Sequence, residues 1–331
     1  MKLLVTGGLG FIGSSFIRYM LTKHSDIQII NLDKLSIGSN PANLKSTETY
    51  KRYKFIKGDI ADKKLVNNLV SKADIVVNIA AETHVDRSIA EPSPFLNSNT
   101  IGAVTLFEAT RKHKKRLLHV STDEVYGDIL EGSFKEDDEL KPSSPYSASK
   151  AAADLFAQAY HRTYDLNVVI ARCTNNYGPY QFPEKLIPKT IIRASLELPI
   201  PVYGKGQNIR DWIYVQDFCE ALEVLLNEGR NGEIYNISAS NELANIDIAK
   251  MILKFMGKPV NTVTFVEDRP GHDLRYSLDS SKIRNELGWR PRHGFQEALE
   301  ATVNWYMNNE WWWKPLITEQ VLHPTPWKLK W

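Results

Sequence analysis

Short apolar, β-branched stretches alternate with longer amphipathic stretches through the first half of the chain. The short stretches are bounded by polar residues or turns, which is typical of buried strands, and the longer ones have helical length. This alternation predicts a parallel sheet with helices on both faces. The predicted strands are residues 2–6, 27–32, 53–57, 74–79, 116–121 and 167–172, and the predicted helices are residues 12–23, 62–71, 93–113 and 146–164.

The rhythm changes after about residue 173, where prolines interrupt the apolar stretches. Proline lacks a backbone N–H and restricts the residue before it, so short elements and loops are predicted here. The interrupting prolines are Pro179, Pro183, Pro188, Pro199 and Pro201. Regular helices are predicted again at residues 215–227, 245–256 and 295–308.

These patterns predict an α/β protein with two lobes and a tail. We expect a Rossmann-type, doubly wound parallel sheet over residues 1–172, to which residues 211–240 return, and a smaller, loop-rich C-terminal lobe over residues 173–317. Residues 318–331 form the tail, which we expect to pack on the body or on a partner subunit rather than to carry chemistry. The tryptophans in and just before it are Trp311, Trp312, Trp313, Trp327 and Trp331.

Composition narrows the class of protein further. The net charge of the 331 residues is only +2, from 41 Lys and Arg against 39 Asp and Glu, so no nucleic-acid-binding surface is expected. Cys173 and Cys219 are the two cysteines, too few for a disulfide framework. We expect no metal site, no signal peptide and no membrane span, and therefore a cytoplasmic protein.

The turn after the first predicted strand has the spacing G-x-x-G-x-x-G, formed by Gly7, Gly10 and Gly13. Glycines at such a strand-to-helix turn let the backbone approach a pyrophosphate closely, and the helix N-terminus favours the phosphate charge. Asp33 ends the second strand, where a carboxylate binds ribose hydroxyls and repels a 2′-phosphate, which favours NAD over NADP. Asp59 is a candidate for the adenine amino group, although it could equally cap the helix that follows.

Tyr146 and Lys150 lie four residues apart at the start of a predicted helix and therefore share one face. A lysine ammonium there favours the tyrosinate, so Tyr146 is a candidate general base. Thr122, at the end of the fifth predicted strand, is a plausible hydroxyl to orient a substrate oxygen. The Tyr-x-x-x-Lys spacing is common on amphipathic helices, but together with the glycine turn and Thr122 it is a strong indication of a catalytic site.

Longer motifs identify a family. In residues 121–127, Asp123 and Glu124 stand where sugar-nucleotide 4-epimerases usually have small or hydroxylated residues. Over roughly residues 1–317 the chain resembles the nucleotide-sugar branch of the extended short-chain dehydrogenases/reductases, and the acidic pair resembles that of the dTDP-glucose 4,6-dehydratases. The other motifs that carry the resemblance are residues 80–88, 175–186, 203–212 and 268–272.

The acidic pair also has a physical rationale. Oxidising a hexose C4 hydroxyl acidifies the C5 proton, which a carboxylate can remove while a carboxylic acid protonates the departing C6 hydroxyl. The resemblance implies that Glu124 is the base at C5 and Asp123 the acid at C6, so Asp123 needs a raised pKa. It also implies a cycle in which Tyr146 takes the C4 hydroxyl proton, water leaves across C5 and C6, and hydride returns to C6. The product is a 4-keto-6-deoxy sugar, and bound NAD is regenerated in each turnover.

The resemblance implies two sets of binding residues as well. For NAD they are Gly7, Gly10, Phe11, Ile12, Gly13, Asp33, Lys34, Leu35, Ser36, Asp59, Ile60, Ala80, Ala81, Thr83, Ser98, Tyr146, Lys150 and Asn176. For the dTDP-glucose substrate they are Thr83, Thr122, Asn175, Lys185, Leu186, Pro201, Tyr203, Arg210, Asn241, Arg269 and His272. Of these, Arg210 and Arg269 are the candidates for the diphosphate, because such an anion needs cations.

Alternatives remain open on the sequence. Another nucleotide-sugar 4,6-dehydratase or a UDP-sugar 4-epimerase is the nearest one, and a non-catalytic NAD-binding sensor is a remote one. The resemblance also implies a homodimer formed through the helices at residues 93–113 and 146–164. Leu155, Phe156 and Ala159 would then line one exposed face, although they could equally belong to the core.

Overall fold

A computed structural model describes residues 1–330 of the chain, and within them the predicted alternation of strands and helices is present. The six predicted strands agree with the structure to within one residue at either end. The strands are β1 (Lys2–Thr6), β2 (Gln28–Asp33), β3 (Tyr53–Lys57), β4 (Ile75–Asn78), β5 (Arg116–Thr122), β6 (Val168–Cys173), β7 (Asn175–Tyr177), β8 (Ile200–Tyr203), β9 (Ile209–Tyr214), β10 (Ile234–Ile237), β11 (Glu242–Ala244) and β12 (Val263–Val266).

The helices of the structure include six of the seven predicted ones, to within one residue at either end, and others that the sequence pattern did not predict. They are α1 (Phe11–Lys23), α2 (Lys63–Ser71), α3 (Val85–Ala90), α4 (Ser93–Phe95), α5 (Ala103–Lys112), α6 (Pro145–Tyr164), α7 (Leu186–Ser195), α8 (Val215–Glu228), α9 (Asn245–Phe255), α10 (Ser281–Leu287), α11 (Phe295–Asn308) and α12 (Glu310–Trp313). Short 3₁₀ turns are Pro41–Thr47, Asp123–Val125, Val260–Thr262, Lys314–Leu316 and Pro326–Lys328, and Leu96–Gly102 is π-helical.

Seven strands form one parallel sheet in the order β10-β6-β5-β4-β1-β2-β3, which is the expected Rossmann-type doubly wound architecture. The chain first builds outward from β1 to β2 and β3, then returns to β4 on the other side of β1. Ligands of such sheets bind in the crevice beyond the carboxyl ends of the strands, at the point where the strand order reverses. The topology therefore places a binding crevice beyond β1 and β4.

Helices cover both faces of the sheet, as its apolar strands require. On one face, buried Phe16 of α1 and Phe218 of α8 belong to one hydrophobic cluster with strand residues. On the other face, Val66 of α2, Phe107 of α5 and Ala153 of α6 belong to a second cluster. The two clusters lie on opposite sides of the sheet, so β1, β4, β5 and β6 are buried between helical layers.

A smaller lobe follows β6. Its strands form a three-stranded sheet in the order β11-β9-β7 and a two-stranded sheet of β12 and β8. Trp212, Trp312 and Trp313 are buried in its hydrophobic cluster with residues of α7, α9 and α11. The segment α8–β10 lies with the large sheet instead, since β10 pairs with β6 and α8 packs on α1.

The prolines after residue 173 predicted short elements and loops, but they do not prevent a regular helix from forming there. Residues 186–195 form the helix α7 with Pro188 in its first turn, where a backbone N–H has no intrahelical partner to lose. The predicted helix over residues 93–113 is interrupted by the π-helical turn, which local periodicity does not reveal.

The aromatic tail packs on the body. Trp312, Trp313 and Trp327 are buried, Trp311 is exposed, and Trp331 lies outside the described residues. No helix within residues 1–330 combines the length and apolar character that crossing a bilayer requires.

Candidate active site

Two adjoining cavities open beyond the carboxyl ends of the large sheet. The larger has a volume of about 240 Å³ and extends from the turn after β1 to the ends of β5 and β6. The smaller, of about 160 Å³, lies toward the second lobe. His84, Glu124, Asn175 and Lys185 line both cavities, so the two form one continuous site.

The glycine turn at one end of the larger cavity needs its glycines for two reasons. Gly7 has a φ of +68°, and a Cβ there would lie 2.6 Å from the Cα of Ala80, which lies in the loop after the neighbouring strand β4. A Cβ on Gly13 would lie against the carbonyl oxygen of Gly7 and 2.8 Å from the Cα of Gly8. The two ends of the turn therefore pack directly against each other, and the N-terminus of α1 forms part of the cavity wall.

Asp33 organises the loop that follows β2. One of its carboxylate oxygens accepts the Leu9 N–H at 2.9 Å, and the other accepts the Leu35 N–H at 2.8 Å and the Ser39 hydroxyl at 2.9 Å. Asp33 is also one of the residues that line the larger cavity. It thus joins the glycine turn to the loop after β2, which lines the same cavity.

The C-terminal end of β5 and the N-terminal end of α6 position the polar residues around the acidic pair. β5 ends at Thr122, whose hydroxyl donates to the Asp123 carboxylate at 3.0 Å and accepts the Glu124 N–H at 3.3 Å. A capping box at Ser144 begins α6, so Tyr146 lies in its first turn, and both Tyr146 and Thr122 line the larger cavity. Lys150, one turn later, donates to the Val120 carbonyl at 2.7 Å.

The two acids differ in their electrostatic surroundings. Burial, and then the charge of Glu124, raise the pKa of Asp123 to about 8. Burial also raises the pKa of Glu124, but Arg269, Lys185 and Arg210 oppose that rise. Near neutral pH, Asp123 therefore holds its proton while Glu124 is the carboxyl that nearby cations favour as the anion.

The pKa of Tyr146 is shifted in the direction opposite to the one that the sequence predicted. Burial raises the pKa of Tyr146 well above its usual value, and the neighbouring Glu124 raises it further. Burial also lowers the pKa of Lys150. Desolvation of a wholly buried phenol thus outweighs the lowering that the Tyr-x-x-x-Lys spacing predicted.

Buried cations line the smaller cavity. Arg210 donates to the Asp273 carbonyl at 2.9 Å, and its guanidinium lies 4.2 Å from the centre of the Tyr276 ring. Arg269 contacts the Asp86 carboxylate at 3.1 Å, and Lys185 donates to the Thr83 carbonyl at 2.6 Å. Four cationic side chains line this cavity against three carboxyl groups, so its wall carries an excess of positive charge that suits an anion.

Most of the predicted site residues line the two cavities. Those that line the larger one are Gly7, Gly10, Phe11, Ile12, Gly13, Asp33, Lys34, Ser36, Ile60, Ala80, Ala81, Thr83, Ser98, Thr122, Asp123, Glu124, Tyr146, Lys150, Asn175, Asn176 and Lys185. Those that line the smaller one are Glu124, Asn175, Lys185, Leu186, Pro201, Tyr203, Arg210, Arg269 and His272.

Three predicted residues lie off both cavity walls. Asp59 accepts the Ala61 N–H at 2.9 Å in the turn before α2, but the residue that caps α2 is Asp62. Leu35 has a positive φ of 62° and serves the loop through its N–H bond to Asp33. The Asn241 side chain donates to the Trp212 carbonyl at 3.2 Å. Their predicted ligand roles stay predictions.

The sequence interpretation missed other lining residues. Ser121 and Thr174 lie at the ends of β5 and β6, so their position at the same sheet edge as Thr122 was an available signal. Lys189 lies one turn after Lys185 on α7, a helix that was not predicted because Pro188 lies within it. Tyr276 comes from a loop with no local signal.

The larger cavity fits a dinucleotide by the chemistry of its walls. Several buried polar atoms there have no hydrogen-bond partner within the protein, which is uncommon for buried groups and indicates that a polar ligand supplies the partners. The glycine turn at the same cavity provides the close backbone approach that a pyrophosphate needs. The unpartnered atoms are Ser121 Oγ, Asp123 Oδ2, Thr174 Oγ1, Asn175 Oδ1, Asn176 Oδ1 and Gln181 Oε1.

Comparison with known proteins agrees with this geometry. The family model described as GDP-mannose 4,6 dehydratase matches residues 4–302. A dTDP-glucose 4,6-dehydratase from Streptomyces niveus is 49% identical over 321 residues, covering 96% of each chain. The structure of DesIV, a dTDP-glucose 4,6-dehydratase from Streptomyces venezuelae with NAD bound, matches with a TM-score of 0.94 and 47% identity, covering 96% of this chain and 100% of that one. A dTDP-glucose 4,6-dehydratase from Bacillus anthracis in complex with NAD matches with a TM-score of 0.90 and 45% identity, with the same coverage.

Proposed function

Since the chain belongs to the family that the GDP-mannose 4,6 dehydratase model describes, we propose that it is a hydro-lyase that converts dTDP-glucose to dTDP-4-dehydro-6-deoxy-glucose with bound NAD. The choice of dTDP-glucose over other nucleotide sugars is supported by the relatives that share 45–49% of its residues over nearly the whole chain and carry that name. Such a reaction needs an acid and a base at adjacent carbons, and the site contains a buried pair of carboxyl groups.

The observation that carries this proposal is the unequal environment of Asp123 and Glu124. A pKa of about 8 keeps Asp123 protonated near neutral pH, as an acid at C6 requires. Three cations favour the ionised form of Glu124, as a base at C5 requires. An epimerase has no use for this pair, because it neither removes the C5 proton nor expels the C6 hydroxyl.

The protein's own groups account for the proton movements. Bound NAD would supply the hydride chemistry, as the acceptor for the C4 hydride and the donor of that hydride to C6. Tyr146 would take the C4 hydroxyl proton as its tyrosinate, an anion that burial disfavours and that the positive charge of bound, oxidised NAD would favour. Glu124 then removes the C5 proton while Asp123 gives its proton to the C6 oxygen, which leaves as water. Glu124 finally returns a proton to C5, Asp123 regains a proton from solvent, and Tyr146 releases the C4 hydroxyl proton to solvent, so all three groups return to their starting states.

Binding is divided between the two cavities. The glycine turn and the loop joined by Asp33 would hold NAD, and Lys150 lies below the tyrosine at the inner end of the same cavity. Arg210 and Arg269 would hold the diphosphate of the substrate, with Tyr203 and Pro201 beside its base. This arrangement brings the hexose to the shared wall, where Glu124 lies.

Replacing Glu124 by Gln tests the assignment of the base. We expect Glu124→Gln to slow dehydration by about 10²–10⁴-fold while C4 oxidation, followed as bound NADH absorbance, changes much less. The matched control is Glu136→Gln, since Glu136 is a half-buried acid whose carboxylate accepts the Asn236 N–H at 2.9 Å, away from both cavities. Equal loss of oxidation and dehydration in Glu124→Gln would contradict the assignment.

We further propose that the protein is a homodimer. Leu155, Phe156 and Ala159 are exposed on α6 rather than buried in the core, and Leu96 and Ile101 are exposed on the π-helical turn that packs beside α6. Apolar side chains grouped on one surface are typical of a subunit interface. This surface coincides with the two helical segments through which the family resemblance implies dimers.

A cytoplasmic location completes the proposal. Both cysteines, Cys173 and Cys219, are free and buried, which suits a reducing compartment. The substrate and cofactor proposed here are soluble nucleotides, and the site needs no membrane surface to bind them.

A further inference from the structure

Two hydrogen bonds in series connect the C-terminal helix α12 to the glycine turn after β1. The indole Nε1 of Trp312 donates to Asn43 Oδ1 at 2.8 Å, and Asn43 Nδ2 donates to the Leu9 carbonyl at 2.9 Å. Leu9 stands between Gly8 and Gly10 in the turn. Leu9, Asn43 and Trp312 are each 2% exposed, so water does not compete for these bonds.

The chemistry of the three groups fixes the direction of the series. An indole N–H can only donate, so it must face the oxygen of the Asn43 carboxamide. The amide nitrogen of Asn43 then faces the Leu9 carbonyl. Without the indole N–H, either a buried oxygen loses its partner or the carboxamide rotates and turns that oxygen toward another oxygen, and both outcomes cost free energy.

The surroundings hold Asn43 on its other side as well. Its backbone carbonyl accepts a hydrogen bond from Arg18 at 2.6 Å, and Arg18 lies on α1, the helix that the glycine turn opens. The Arg18 guanidinium lies 4.1 Å from the centre of the Tyr180 ring, which in turn packs edge-on against Trp312. The second lobe therefore contacts both the turn and its helix through one buried cluster.

We propose that Trp312 is a positioning residue for NAD, which acts through Asn43 to hold the Leu9 carbonyl and so keep the glycine turn in the shape that retains the cofactor. This inference rests on the proposed function, because it takes NAD to be the group bound at the turn. An enzyme that regenerates its NAD in every turnover gains from slow release of that cofactor. The series makes retention depend on a helix 269 residues away from Asn43 in sequence.

The test compares two neighbouring tryptophans. Trp312→Phe keeps an aromatic ring but removes the N–H. Trp313→Phe is the matched control, because Trp313 is equally buried and its indole donates to the Tyr306 carbonyl, without contact to the turn. We expect Trp312→Phe to release NAD about tenfold faster during gel filtration, as loss of one buried hydrogen bond implies, and to become dependent on added NAD for turnover. Trp313→Phe should retain NAD like the parent protein.

A double-mutant cycle separates positioning from simple packing. Asn43→Ala removes the contact to Leu9 from the other end and leaves the aromatic cluster in place. If Trp312 acts through Asn43, the double variant releases NAD no faster than Asn43→Ala alone. Additive effects, or equal NAD loss in the Trp312 and Trp313 variants, would overturn the proposal.

Two further outcomes are distinguishable. If Trp312→Phe does not fold, as judged by circular dichroism, Asn43→Ala decides alone, and unchanged NAD release in it overturns the proposal. If the parent protein itself binds no NAD, the proposed function fails before any variant is made.

Discussion

Two adjacent carboxyl groups in one buried site titrate differently here because their other neighbours differ. Arg210 lowers the pKa of both, but Arg269 and Lys185 act on Glu124, whereas Asp123 is exposed to the charge of Glu124. The same burial therefore produces an acid at one residue and a base at the next. Sequence analysis assigned these roles by resemblance, and the cations that distinguish them come from the second lobe.

The raised pKa of Asp123 predicts an alkaline limit to activity. The dehydration rate should fall as pH rises through about 8, because Asp123 loses the proton that the C6 oxygen needs. We expect Asp123→Asn to be slower by about 10²–10⁴-fold and to lack this limb. A pH profile of kcat checks both points, and an unchanged limb in Asp123→Asn would show that another group causes it.

Stability should respond to the same group with a definite sign. The pKa of Asp123 is raised in the folded state above its ordinary value of 3.8, so its contribution to stability is present at low pH and is lost as pH rises toward about 8. The gain in melting temperature of Asp123→Asn over the parent protein should therefore grow between pH 5 and pH 8. A constant difference across that window would contradict the raised pKa.

Elements of the large sheet were predictable because each has a periodicity of its own. β1 and β6 are apolar stretches between polar boundaries, and α6 begins with a capping sequence, so their bounds follow from local pattern. β7 and β11 are three residues long, too short to show a period, and become strands only by pairing with β9.

The residues of the site likewise divide into those that follow from local sequence pattern and those that depend on tertiary packing. Thr122, Asp33 and the glycine turn were predictable because the carboxyl ends of parallel strands share one edge of the sheet. The off-wall position of Asn241 and the bond from Trp312 to Asn43 depend on how the second lobe docks, which no local pattern encodes.

The close packing of the first turn of α1 against the glycine turn can be tested by substitution. Gly13→Ala should lower the free energy of unfolding by about 1–3 kcal/mol, because its Cβ would meet backbone atoms of Gly7 and Gly8 that cannot move aside as a side chain can. Gly10→Ala is the comparison, since its Cβ would lie 3.3 Å from the Gly7 carbonyl oxygen. Denaturant unfolding measures both, and an equal effect of the two would contradict this packing account.

Within residues 1–330, α6 and the π-helical turn beside it carry apolar side chains that the single chain leaves exposed. If α6 forms the dimer interface, Phe156→Glu should convert the protein to monomers, because the phenyl ring that it replaces is exposed in the single chain. Leu130→Glu is the control, since Leu130 is equally apolar and even more exposed, but lies in a loop away from α6. Sedimentation velocity reports the mass, and a parent protein that sediments as a monomer would refute the dimer.

The most direct measurement of the central claim uses the whole protein without added NAD. Purified protein is incubated separately with dTDP-glucose, UDP-glucose and GDP-mannose, and each product is analysed by mass spectrometry. We predict loss of one water from dTDP-glucose alone, which would establish the dehydration, the nucleotide and the retained cofactor together. A change of C4 stereochemistry without loss of water would contradict the account and favour an epimerase. No change in any sugar, even with NAD added, would contradict it equally and favour a non-catalytic NAD-binding protein.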